Sequence, residues 1–255
     1  MGDGGIAAVF KGLAADAAGT ARKIAHSVGG IAEKTADIEE SNLRNLLDSD
    51  SRAADSFKDV GRGARPGAAA GGWSGARYVY SSSREAQDLY AAIRADTGDV
   101  GAIARNTGIN EEVVAQVKNH LFLTEHDIPV GPGQIERGNF TPDEHIADLW
   151  GKAGKGTLSE YEAAGFRSLL SHEYVESRLM ESGMPYRSAD PESWEDRYII
   201  FNPSHFGAHE VAPTSSAGSM RHWKALGLTP PDVPIAPDLS NIDQVVAAAR
   251  RGLGL

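Results

Sequence analysis

From Ile6 to Phe57 the apolar positions Val9, Leu13, Ala17, Ile24, Val28, Ile31, Ile38, Leu43, Leu46 and Leu47 recur at spacings of three, four and seven. That period puts them on one face of a helix, whereas a strand would need alternation. Gly29-Gly30 divides the run into two helices. The aromatic residues of the stretch are Phe10 and Phe57, so the core it can build alone is thin. It packs as a helical hairpin or against a partner. Residues 61–75 (GRGARPGAAAGGWSG) hold six Gly and one Pro in fifteen, the composition of a flexible linker and a domain boundary.

Beyond the linker the pattern stays helical. Ser83 to Ala95 reads as a helix capped by Ser83, with Leu89, Tyr90 and Ile93 on one face. Asp99 to Phe122 reads as a short helix, a turn at Thr107-Gly108, and a longer helix opening at Asn110. This is a helix-turn-helix arrangement. A DNA reader would set the start of its second helix against phosphates. Glu111 and Glu112 stand there and repel phosphate, so the pair is expected to be structural. Asp127 to Thr141 is expected as a loop, and Pro142 to Trp150 as a helix capped by Thr141. Thr157 and Glu160 are spaced as a capping box for a helix that runs through His172 to Met180 and stops before Gly183 and Pro185. Arg197 to Phe201 is the best strand candidate. A Pro-rich stretch, Thr229 to Pro237, leads to a last helix from Ile242 to Arg251.

These elements predict a mainly α fold: an α-helical domain with a small β element, preceded by an α-helical N-terminal segment. The expected organisation is a helical segment over residues 1–60, the linker 61–75, a domain over 76–235, and a tail over 236–255.

Charge changes the picture of that middle domain. The chain has 25 Lys and Arg against 35 Asp and Glu, a net charge of −10. Residues 76–235 hold 14 basic and 23 acidic side chains and seven of the eight histidines. The excess acidity disfavours a broad nucleic-acid surface, which needs Lys and Arg. No Cys is present, which excludes disulfides, thiolate metal sites and a Cys nucleophile. Any metal must be held by His, Asp or Glu. No run is long and apolar enough for a membrane span, and Met1 to Phe10 lacks a signal-peptide pattern. GxxxxGK[ST], GxGxxG and GxSxG patterns are likewise missing.

Three His/Glu clusters carry the candidate chemistry. In His172-Glu173-Tyr174-Val175-Glu176, the i, i+4 pair His172 and Glu176 projects from one helical face toward a common ion. Glu173 lies beside them as a candidate general base. The motif resembles His-Glu-x-x-His of zincins, with Glu176 in place of the second His. In the second cluster, His120 and His126 are six residues apart, about 120° out of line on a continuous helix. They converge only if the helix ends between them. His205 and His209 form the third cluster, in the expected loop after the strand. Each cluster is also readable as ordinary packing or solvated helix surface. His222-Trp223 reads as a packing pair.

Ile103 to His126, Leu169 to Met180 and Phe206 to Pro213 together resemble a C-terminal domain of bacterial polymorphic toxins and phage-related proteins. Ala32 to Asp50 resembles the helical region before toxin domains in type VII secretion effectors of actinobacteria. The resemblance implies an effector secreted without a cleaved signal peptide and acting in the cytoplasm of a target cell. It also implies a cognate immunity protein and a secretion chaperone that meets the N-terminal helices. Hydrolysis is the implied chemistry, with nucleic acid preferred over protein as substrate. Matching positions carried over are His120, Glu125, His126, His172, Glu173, Glu176, His209 and Glu210. The expected metal ligands are His120 or His126, His172, Glu176 and His209, binding a divalent ion, zinc above others, with Glu173 and Glu125 as catalytic carboxylates. The alternative is a non-catalytic helical binding or assembly module with structural histidines.

Overall fold

Ser83 begins the first helix by satisfying one of its free backbone donors: its hydroxyl accepts from Ala86 N at 3.0 Å. Helix α1 then spans Arg84–Ala95. The structure, a computed structural model, describes residues 76–196, 198–214 and 220–255. The expected N-terminal helices, the Gly-rich linker, His26 and Arg197 lie outside the described residues. Tyr90 and Ile93 are buried, but Leu89 is exposed, because one 100° step carries it past the edge of the buried stripe.

Helix α2 (Asp99–Thr107) ends at Gly108, which takes the left-handed φ of 71° that glycine adopts without a Cβ clash. Asn110 caps α3 (Glu111–Lys118), accepting from Glu112 N at 2.8 Å. The start of α3 is tied to the chain near the C-terminus, with Asn110 N donating to Asp238 O at 2.9 Å. The pair is thus a packing unit: α2 lies on the helix Glu144–Lys155 and α3 on the helix Glu160–Met180. Helix α3 widens into a π-helical turn over Asn119–Leu123, closed by Thr124 N to Asn119 O at 2.9 Å.

The expected loop after His126 is instead an antiparallel hairpin, β1 (His126–Gly131) with β2 (Gln134–Gly138). Pro129 reads as a breaker, but β1 is an edge strand, where a missing N–H costs no second partner. Gly133, at φ 70°, makes the turn. The next two helices form with shifted caps. Asp143, not Thr141, caps α4 (Glu144–Lys155), accepting from Ile146 N at 2.9 Å. Ser159 and Glu162, not Thr157 and Glu160, form the capping box of α5 (Glu160–Met180). Thr157 is unavailable because its N–H donates to Lys152 O at 3.0 Å and closes α4. The expected strand at 197–201 shrinks to β4 (Tyr198–Ile199), paired with β3 (Trp194–Glu195). Two short helical elements complete the fold: α6 (Ala208–Val211) and the C-terminal α7 (Asp243–Leu253). Among the described residues the fold is mainly α, seven helices with two small two-stranded sheets. No described helix is long and apolar enough to cross a membrane.

Helix α5 is the centre, packed against α3, α4, α6 and α7. Tyr90, Phe122, Trp150 and Phe166 interlock edge to face across the core, with ring centroids 4.7 to 6.0 Å apart. Asp99 organises the polar side of this cluster. It accepts from Trp150 Nε1 at 2.8 Å and from the buried Lys118 Nζ at 2.6 Å. Asp99→Ala strands the Lys118 charge inside the protein. Loss of about 3–5 kcal/mol in denaturant unfolding is expected, with much of it recovered by pairing the change with Lys118→Met.

Candidate metal centre

Three segments far apart in sequence carry the histidines to α5. Helix α5 itself presents His172 and Glu176 one turn apart on a buried face, at 5% and 1% exposure. The π-helical turn presents His120, and α6 presents His209. Close backbone packing sets the position of α6. Ala208 N donates to Pro185 O at 2.9 Å and His209 N to Tyr186 O at 3.1 Å. Gly207 is needed at that crossing, since a Cβ there would lie 2.4 Å from Tyr186 O. Glu210 accepts from Gly207 N at 2.9 Å, so this carboxylate caps α6 and is not part of the centre.

The Glu176 carboxylate is the hub. His120 Nε2–H donates to its Oε1 at 2.9 Å. On the other oxygen, Oε2, His209 Nδ1 sits at 2.8 Å and His172 Nε2 at 3.4 Å. His172 Nε2 and His209 Nδ1 are 3.1 Å apart. Glu173 Oε2 lies 3.6 Å from His120 Nε2. Among the described residues, these donors form two triads that could hold an ion, His172/Glu176/His209 and His120/Glu173/Glu176. A third, Asp190/Glu192/His205, lies at the surface, where Asp190 also caps a short turn through Glu192 N at 2.9 Å.

Ligands roughly 2.0–2.2 Å from a tetrahedral ion are separated by about 3.3–3.5 Å. The His172–Glu176 edge of the first triad, 3.4 Å, matches that spacing, while the 3.1 and 2.8 Å edges to His209 are hydrogen-bond lengths that would have to open by a few tenths of an ångström around an ion. The His172 ring is also oriented for it. Its Nδ1–H donates to Pro213 O at 3.0 Å, which turns Nε2 toward the triad. His209 is restrained from behind by Arg187, whose Nη2 is 2.6 Å from Nε2. A guanidinium only donates, so Nε2 is the bare nitrogen and the ring proton sits on Nδ1, facing Glu176. An ion bound there would take the place of that proton.

Charge within the cluster follows from burial and from these partners. Burial disfavours the His172 cation, but the hydrogen bond and charge of Glu176, helped by Glu173, outweigh it and push His172 up to about 9. Burial and the Arg187 charge pull His209 down to about 3. Burial works against the Glu176 anion as well, yet its three imidazole partners hold it well below the usual carboxylate range.

Other expected residues stand differently. The helix does end between His120 and His126, and their rings come within 4.6 Å. His126, however, donates through Nε2 to the His120 carbonyl at 2.9 Å and stacks on Phe140, outside both triads. Burial and the nearby His120 lower its pKa. Glu125 is half-exposed and ion-paired with Arg137 at 3.6 Å. His205 is near Asp190, 3.3 Å away. Trp223 is buried with its Nε1 on Val211 O at 2.7 Å, while His222 stacks on Phe201, so the pair packs. Arg187 and Tyr186 escaped sequence reasoning. Their only signal was an Arg in an acidic domain just after the helix-ending Pro185. Both line a cleft of about 490 Å³ that also reaches His120, Glu125 and His126. No protein-family model, curated protein or solved structure matches the chain.

The pKa shifts set the pH dependence of the metal-free protein. His172, raised, contributes in full below pH 6.5 and loses that contribution as pH rises through about 9. His209, lowered, costs stability as pH falls from 6.5 toward about 3, and Glu176 costs more below about 4.5. Thermal melting in chelator is expected to peak near pH 6.5 and decline toward pH 9. In His172→Ala the alkaline decline should disappear.

Proposed function

We propose that the protein is a metal-dependent hydrolase whose ion is held by His172, Glu176 and His209, with Glu173 as general base. One observation carries this reading: two imidazoles and one carboxylate, with His172 and Glu176 buried and His209 partly so, lie 2.8 to 3.4 Å apart and form a three-ligand set. That set is characteristic of catalytic zinc sites, which keep a further position for water or substrate. A divalent ion held there supplies Lewis acidity to a water and to the bond being cleaved.

The chain's own residues have separable tasks. Pro213 O fixes the His172 tautomer, and Arg187 orients His209. Glu173 follows His172 by 100° on α5, and its side chain is 13% exposed, so it can take a proton beside the ion and release it. Tyr186, Arg187 and His120 line the adjoining cleft, where a substrate meets the centre. The role as a secreted toxin-like effector with a neutralising immunity partner rests on the sequence resemblance, as does the preference for nucleic acid over protein.

A second reading, a non-catalytic helical module with structural histidines, is favoured by one feature: both Glu176 oxygens have imidazole hydrogen-bond partners, which satisfy the buried carboxylate. Metal analysis separates the two. Purified wild type is expected to carry stoichiometric divalent metal that His172→Ala loses. Glu173→Gln should keep the ion at His172, Glu176 and His209 yet cut hydrolysis of DNA, RNA or protein by about 10²-fold or more. A metal-free wild type, together with undiminished toxicity of Glu173→Gln on cytoplasmic expression, would leave the structural reading.

A further inference from the structure

One carboxylate serves both triads, and it does so with different oxygens. Glu176 Oε2 faces His172 and His209, whereas Oε1 faces His120, with Glu173 Oε2 completing that side 3.6 Å from His120 Nε2. The two triads have no other member in common. A four-coordinate ion in the first triad therefore leaves His120, Glu173 and the outer Glu176 oxygen as an unused ligand set. Two of those groups are inside the protein, His120 at 3% exposure and Glu176 at 1%, and Glu173 reaches the surface between them. Packing also holds them. The His120 ring is wedged against His126 and Phe140 at 4.6 and 5.1 Å, and its carbonyl is pinned by His126 Nε2.

The geometry points to a second divalent cation, bound by His120, Glu173 and Glu176 Oε1, with Glu176 bridging the two ions. This inference rests on the proposed hydrolase reading and deepens it. Imidazole and carboxylate together suit ions such as zinc and manganese. Two carboxylates, Glu173 and Glu176, converge on the site and suit a cation. With one oxygen on the second ion, Glu173 keeps the other for the proton. The position lies on the cleft side of the centre, because His120 lines the cleft. Two ions roughly 3.5–4 Å apart serve hydrolases by stabilising attacking and leaving oxygens together.

Titration of the full chain with Mn²⁺ tests this, read by equilibrium metal content and by electron paramagnetic resonance. Wild type is expected to bind two Mn²⁺ per chain and to show the multiline spectrum of a coupled pair. Glu173→Gln and His120→Gln are expected to bind one, with the six-line spectrum of an isolated ion. Glu173 is partly exposed, so its variant should fold even if the His120 variant does not. One Mn²⁺ in both wild type and Glu173→Gln would overturn the second site and leave the hydrolase proposal standing. Failure of wild type to bind any ion would overturn both.

Discussion

A single carboxylate buried at 1% exposure dictates much of what surrounds it. An isolated charge in a low-dielectric interior costs several kcal/mol or more, so Glu176 exists there only because other groups meet it. Three imidazoles do so, from the π-helical turn, from α5 itself and from α6. Each must then be held in turn. Pro213 O holds His172, Arg187 holds His209, and His120 is packed between His126 and Phe140.

That chain of requirements explains features that would otherwise be unrelated. The wide turn at Asn119–Leu123 ends α3 and frees the His120 carbonyl for His126. Gly207 lets α6 lie against the backbone at Tyr186, and Glu210 caps α6 in place. The same polar density that makes the cluster expensive to bury is what the proposed ion site draws on. Its donors are separated by 2.8 to 3.4 Å and preoriented by outer partners.

The rest of the domain acts as a frame. Helix α5 is long enough to join an aromatic core at Phe166 to the polar centre at His172 and Glu176. The Asp99–Lys118–Trp150 network locks α2, α3 and α4 together. A rigid scaffold of this kind matters because displacement of a ligand by a fraction of an ångström weakens a metal site.

Local rules in the sequence were enough for the longer described helices, though not for α6, which carries His209 where a loop was expected. Their period, the Ser83 and Asn110 caps, the Gly108 stop and the one-turn pairing of His172 with Glu176 depend on residues within a few positions of one another. Where two local signals competed, neighbours decided: Thr157 lost the α5 cap because its N–H closes α4. The hairpin at 126–138 was hidden because Pro129 is a breaker everywhere except on an edge, and edges are a property of the assembled sheet. Sequence also marked His120, His172, Glu173, Glu176 and His209 as chemical candidates. It could not show which of them meet. His120 and His209 approach Glu176 across separations of 56 and 33 residues. Such distances are set by helix packing and backbone docking, so the separation of His209 from His205, and of His120 from His126, was decided only in three dimensions.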